Sequence, residues 1–120
     1  MSLLKILKEN INKQKPMICK GDFFCQYNKL KSLKGCPTEV GGNFDCSHNQ
    51  LTSLEGSPEI IGKDFWCNSN DKLTSLEGCP TKVGRDFYCN GNRILPKEEI
   101  MKLKALGIVK GYIFSDYGEF

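Results

Sequence analysis

The side chains with reactive potential are seven cysteines, one histidine and a set of aspartates, and their spacing decides which chemistry is open to them. Cys19, Cys25, Cys36, Cys46, Cys67, Cys79 and Cys89 form no C-x-x-C pair, and His48 is the only histidine. Zinc sites need paired thiolate or imidazole ligands at short spacing, so no metal site is expected from them. The odd count argues against a closed disulfide framework. Packing is the simpler role, since a free cysteine behaves as a small hydrophobe. Cys36 and Cys79, each before a proline, are the more accessible pair, and packing is preferred for them too. His48 has no patterned carboxylate partner, and no G-x-x-x-x-G-K-[ST] phosphate loop occurs. Asp64, Asp86 and Asn90 offer oxygens of the kind a hard cation takes, but at a generic spacing. The expectation is a non-catalytic chain that needs no cofactor and no metal.

What the cysteines do show is a period. Cys25, Cys46, Cys67 and Cys89 are separated by 21, 21 and 22 residues. Phe23, Phe44, Phe65 and Phe87 stand two residues before them, and Asn28, Asn49, Asn70 and Asn92 three after. Leu30, Leu51, Leu73 and Ile94 follow, then Leu33, Leu54 and Leu76, then Pro37, Pro58 and Pro80, then Val40, Ile61 and Val83. A fixed period of this length marks a solenoid, in which each turn buries its apolar side only by stacking on the next. Phe-x-Cys has the two-residue period of a strand, which sends both side chains inward. The asparagines stand where the chain leaves that strand and can bond backbone groups left unpaired by the bend. Gly35, Gly56 and Gly78 are expected at positive φ.

The elements around the repeats follow from the same register. Residues 1–15 predict an N-terminal capping helix, with Leu3, Leu4, Leu7 and Ile11 at helical spacing and Ser2 at its start. Residues 16–95 carry the repeats. Residues 96–120 predict a helix in "LPKEEIMKLKALG", striped by Ile100, Leu103 and Leu106, and a fifth strand near 111–115, where Val109 matches Val83 and Ile113 matches Phe87. The whole is one domain, an α/β repeat solenoid with a parallel sheet of about five strands.

The stretch "VGGNFDCSHNQLTSLEGSPEI" resembles a leucine-rich repeat of the L-x-x-L-x-L-x-x-N-x-L type, with Phe44 and Cys46 on the strand, Asn49 as the asparagine and Leu51 and Leu54 as the later leucines. Its particular form, G-x-F-x-C-x-x-N-x-L-T-S-L-E-G-x-P, resembles short repeat proteins of tailed phages and some bacteria. The pattern departs by one extra residue between Val40 and Phe44 and by Phe and Cys in place of Leu. The resemblance implies a phage-encoded inhibitor or modulator of a host protein, acting in the host cytoplasm.

Positions flanking each cysteine alternate with Phe and Cys and point outward. They form three columns: Asp22, Asn43, Asp64, Asp86 and Tyr112; Phe24, Asp45, Trp66, Tyr88 and Phe114; Gln26, Ser47, Asn68, Asn90 and Asp116. With strands ~4.8 Å apart the face is roughly 20 Å across. Exposed aromatic rings beside acids are what protein-binding hot spots use. The expected partner-binding residues are therefore Asp22, Phe24, Asp45, Asp64, Trp66, Asn68, Asp86, Tyr88, Asn90, Tyr112 and Phe114. Like charges across strands repel, so the Asp64 and Asp86 column calls for a basic partner or for backbone hydrogen bonds. The rival explanation is strand propensity alone, which also favours aromatics.

Bulk properties narrow the partner. Hydrophobic residues make up 39% and charged ones 26%, an ordinary globular balance. No apolar run approaches the ~20 residues of a membrane span, and the N-terminus does not read as a signal peptide, so a cytoplasmic protein is expected. Of the net charge of +3, residues 1–20 hold +4 and the rest −1. Nucleic-acid modules spread Lys and Arg over a binding face; here the excess sits on one terminal helix, where a solvated face accounts for it. Nucleic acid is thus the alternative partner, another protein the preferred one, and self-association a further option.

Overall fold

The computed structural model describes residues 17–120. The expected α/β architecture on one parallel sheet is corrected by it. The chain is a β-solenoid with two sheets, and the described residues contain a single helix of 10 residues. The capping helix expected over residues 1–15, and with it Pro16, lies outside the described residues.

Each turn contributes two very short strands, one to each sheet. The first sheet holds β1 (Ile18–Cys19), β3 (Glu39–Val40), β5 (Ile60–Ile61) and β7 (Lys82–Val83), all parallel. The second holds β2 (Phe23–Phe24), β4 (Phe44–Asp45), β6 (Phe65–Trp66), β8 (Phe87–Tyr88) and β9 (Ile113–Ser115), also parallel, with β10 (Gly118–Glu119) added antiparallel at its edge. The first sheet escapes the sequence pattern for a physical reason. Its strands are two residues long and turn one side chain inward, so they show no alternation.

Between the sheets stand stacks of matching side chains. Phe23, Phe44, Phe65 and Phe87 lie ring on ring with centroids 6.0, 5.3 and 4.9 Å apart. Cys25, Cys46, Cys67 and Cys89 form the next row, and Val40, Ile61 and Val83 face them from the first sheet, all buried. Leu30, Leu51 and Leu73 continue inward, but the fourth member is Leu95 and not Ile94, which is exposed. Asn70 to Leu73 and Asn92 to Leu95 each span one residue more than the first two turns, and both close a turn in which the leucine N–H donates to the asparagine carbonyl (2.9 and 3.1 Å). The inserted residue is therefore shared by the last two turns.

The asparagines form an interior ladder. Asn49 donates to the carbonyls of Cys25 and Cys46 (both 3.0 Å), while its Oδ1 accepts from the N–H groups of Asn28 and Leu30. Asn70 and Asn92 repeat the donation one and two turns on, while each Oδ1 accepts a single N–H, from Leu51 and from Asn70 respectively. One glycine column is equally constrained. A Cβ on Gly62 or Gly84 would collide with the carbonyl oxygen of Gly41 or Gly62 in the turn below. Backbone touches backbone there, and only glycine fits.

The helix, α1 (Lys97–Leu106), starts at Pro96 and ends on Gly107 in the left-handed conformation. Ile100 and Leu103 are buried, whereas Leu106, expected in the same stripe, is exposed. Its Glu99 completes a row of hydrogen bonds. Leu33 N–H donates to the Glu55 carbonyl (3.3 Å) and Leu54 N–H to the Glu77 carbonyl (2.9 Å); Leu76 N–H donates to the Glu99 carboxylate (2.9 Å). The carboxylate stands in for the carbonyl of an absent turn. The Leu76 N–H holds Glu99 below the usual carboxylate range, helped by the Ser75 hydroxyl and Lys102 and opposed by partial burial.

Glu99→Ala is expected to cost about 1–3 kcal/mol, because it strands a buried N–H. Glu99→Gln keeps an acceptor and loses only the charge. A carboxyl depressed in the folded state stabilises above its unfolded pKa of about 4.3 and loses that contribution as pH falls through the folded value. The stability gap between wild type and Glu99→Gln, read by urea titration, should therefore be largest near neutral pH and close in acid.

Candidate functional site

The second sheet presents its outer face through the register Phe24, Asp45, Trp66, Tyr88 and Phe114, each paired with the next. Inward Phe and Cys force these residues outward. Trp66 and Tyr88 meet edge to face at 5.4 Å, Tyr88 and Phe114 stack at 4.8 Å, and Tyr112 leans on Phe114 at 6.2 Å. The result is a continuous aromatic surface over three strands, with Trp66 37% and Tyr112 62% exposed. A shallow hollow of about 280 Å³ lies on it, lined by Trp66, Asn68, Tyr88 and Asn90. Partial burial raises the pKa of the Tyr88 hydroxyl, and the charges of Asp64 and Asp86 raise it further, against Arg85.

The acidic column has a structural role. Asp22 Oδ1 accepts from Asn43 N–H (2.7 Å), Asn43 Oδ1 from Asp64 N–H (3.0 Å), Asp64 Oδ1 from Asp86 N–H (2.9 Å) and Asp86 Oδ1 from Tyr112 N–H (2.8 Å). Each side chain bonds the backbone one turn on, so the aspartates stack despite their charge. One oxygen per residue does this. The second oxygen of Asp64 makes no hydrogen bond among the described residues.

Asp45 does not project to solvent. It is 7% exposed, and its Oδ1 accepts from the N–H (2.9 Å) and hydroxyl (2.6 Å) of Ser47, itself buried. In the third column Asp116 accepts from Gly91 N–H (2.9 Å). Asn68 and Asn90 differ from the ladder asparagines, since among the described residues neither side-chain amide makes a hydrogen bond. Of the eleven expected face residues, the structure gathers Trp66, Asn68, Tyr88, Asn90, Asp64, Asp86, Tyr112 and Phe114 at one end. Phe24 and Asp22 stand at the other, beyond Asp45.

Sequence reasoning missed a ridge beside this face. Tyr27 and His48 stack at 4.3 Å, both exposed, with φ of 58° and 55°. Ser69 and Gly91 hold the same place in the next turns, also at positive φ. The common position just before each asparagine is the only signal for it. That conformation costs an L-residue about 1–2 kcal/mol, a cost glycine avoids in the last turn.

Five of the seven thiols are held in the protonated form by their surroundings. Burial pushes the Cys46 and Cys67 thiols well up and Cys89 up to about 12; hydrogen bonding to Cys36, then burial, raises Cys25. The half-buried Cys79 thiol, also raised by burial, lines a groove of about 300 Å³ between α1 and the third turn. Among the described residues no group of three or more His, Cys, Asp and Glu is placed to hold a metal ion, and no helix is long and apolar enough to cross a membrane. The lysine-rich stretch invoked for nucleic acid falls mainly on residues 1–15, outside the described residues. No protein-family model, curated protein or solved structure matches this chain.

Proposed function

We propose that this solenoid is a non-catalytic protein-binding module whose working surface is the aromatic face of its second sheet. The observation that carries this reading is the run Trp66–Tyr88–Phe114–Tyr112, mounted on rigid strands and left partly in water. The core is complete without these rings, since Phe, Cys and Leu fill it. Large aromatics with few rotatable bonds are the residues that dominate interface energetics. The resemblance of the repeat to short leucine-rich-type repeats of phages and bacteria supplies a class of partner, a host protein met in the cytoplasm. That step is by analogy.

The test is affinity capture with the intact chain against a Trp66→Ala/Tyr88→Ala variant, read by mass spectrometry. Both rings lie outside the core, so the variant should keep its circular dichroism and unfolding midpoint. Loss of two central anchors should weaken binding by roughly 30-fold or more, the effect of one hot-spot truncation of about 2 kcal/mol. Undiminished capture by the folded variant removes the face from the proposal.

A further inference from the structure

Resting on that protein-binding reading, we propose that the face takes an extended peptide segment that places an arginine over Trp66 and Tyr88 and lays its backbone on Asn68 and Asn90.

Three independent features converge on this occupant. The first is charge. The three columns bring Asp22, Asp64, Asp86 and Asp116 to the outer face, with Asp45 withdrawn onto Ser47, and hold no lysine or arginine, in a chain whose net charge is +3. Of the charged groups acting at Tyr88, Asp64 and Asp86 are acidic and Arg85 alone is basic. The second feature is the ring pair itself. A guanidinium is planar and weakly hydrated, and it stacks on aromatic faces while donating sideways to carboxylates. The hollow lined by Trp66 and Tyr88 offers the rings, and the column beside it offers the carboxylates. The second oxygen of Asp64, unbonded among the described residues, is an acceptor open to such a donor.

The third feature concerns the peptide backbone. Asn68 and Asn90 occupy corresponding places on adjacent turns, at the margin of the same hollow, with amides unbonded among the described residues. Every other asparagine of the repeat from Asn28 onward has its side chain committed to backbone. A primary amide carries donors and an acceptor. Carried on neighbouring turns spaced about 4.8 Å, the two can bond a C=O and an N–H of an extended chain. Lysine would satisfy the charge but neither the stacking nor the forked geometry, and so should bind less well.

Trp66 is the only tryptophan in the chain, so its emission reports on this face alone. The experiment titrates the intact protein with short synthetic peptides, identical except for arginine, lysine or citrulline at one central position. Citrulline keeps the shape of arginine and lacks its charge. The arginine peptide should shift Trp66 emission saturably and lose affinity as salt rises, with lysine weaker and citrulline weaker by about tenfold or more, as when a charge-assisted bond becomes neutral. Asp64→Asn/Asp86→Asn should cost the arginine peptide a similar factor and leave citrulline unchanged. That variant should fold, because Asn43 already fills the same place in the ladder with an amide.

Equal responses to arginine and citrulline, or no saturable response to any peptide, overturn the arginine proposal. If Trp66→Ala/Tyr88→Ala still abolishes partner capture in that case, the protein-binding face stands and only its ligand chemistry is wrong. If capture also survives, both fall. A soluble oligosaccharide that saturates the Trp66 signal when no peptide does would assign the face to sugars and likewise overturn the proposal.

Discussion

Asn70→Ala is expected to lower stability by about 4 kcal/mol, a large share of the roughly 5–15 kcal/mol that holds a domain folded. Asn70 is 0% exposed. Its amide nitrogen donates to the carbonyls of Cys67 (3.0 Å), Cys46 (3.3 Å) and Asn68 (3.3 Å), and its Oδ1 accepts from Leu51 N–H (3.2 Å). Truncation strands the Leu51 N–H, which costs about 1–3 kcal/mol, and takes one of two donors from each of three carbonyls at about 0.5–1.5 kcal/mol apiece: Cys46 keeps Asn49, Cys67 keeps Asn92 and Asn68 keeps the His48 N–H. Asn70→Asp sharpens the test. It keeps the acceptor but turns a second oxygen toward carbonyl oxygens, so its folded-state pKa must rise above the unfolded value of about 3.9. The variant should come closest to wild type below that pH and lose stability as pH rises toward the folded pKa. Urea midpoints for both proteins across pH 3–7 check this; a constant gap would show that the amide nitrogen is not what the ladder needs.

Phe65→Ala should cost about 3–5 kcal/mol, the range for deleting a buried aromatic ring. Phe65 sits between Phe44 at 5.3 Å and Phe87 at 4.9 Å, completely buried. The two rings and the strands bearing them cannot close on the gap, because the hydrogen bonds from Phe44 N–H to Asp64 and from Phe65 N–H to Asp86 (both 2.9 Å) fix the turn spacing. Phe23→Ala, at the half-buried end of the same stack, should cost distinctly less. Thermal or chemical denaturation of the pair measures the difference, and equal losses would mean that the stack relaxes as one.

How much of this was legible in the sequence depended on whether a position tolerates substitution. Phe44, Cys46 and Asn49 recur because each touches its own copy one turn away, so a stack shows as a period. The acidic column was visible, and backbone hydrogen bonding was one of the two reasons open for it. Asp22, Asn43, Asp64 and Asp86 share only an Oδ1 acceptor, and the single Asn standing in for Asp at position 43 is the signal that favours a ladder over a basic partner. The first sheet was hidden because β3 or β5 commits only one inward residue per turn. Ile94 was put in place of Leu95 since the expected register carried one insertion, where the last two turns each carry one. Of the candidate face, the outward direction of Trp66 and Tyr88 followed from alternation alone. The withdrawal of Asp45 onto Ser47 depends on a local side-chain bond that spacing cannot show.

The Glu99 carboxylate has a consequence for how such a chain can change over time. Upstream rungs are joined by main-chain groups, which are indifferent to the side chains they carry, while the final rung is closed by a single residue on a separate helix. The ruler and its end stop are thus distinct parts. Duplicating or excising one whole unit ahead of the stop would lengthen or shorten the aromatic strip by one strand width, leaving the terminator untouched. The width of that face can be set in integral steps, without reinventing the edge.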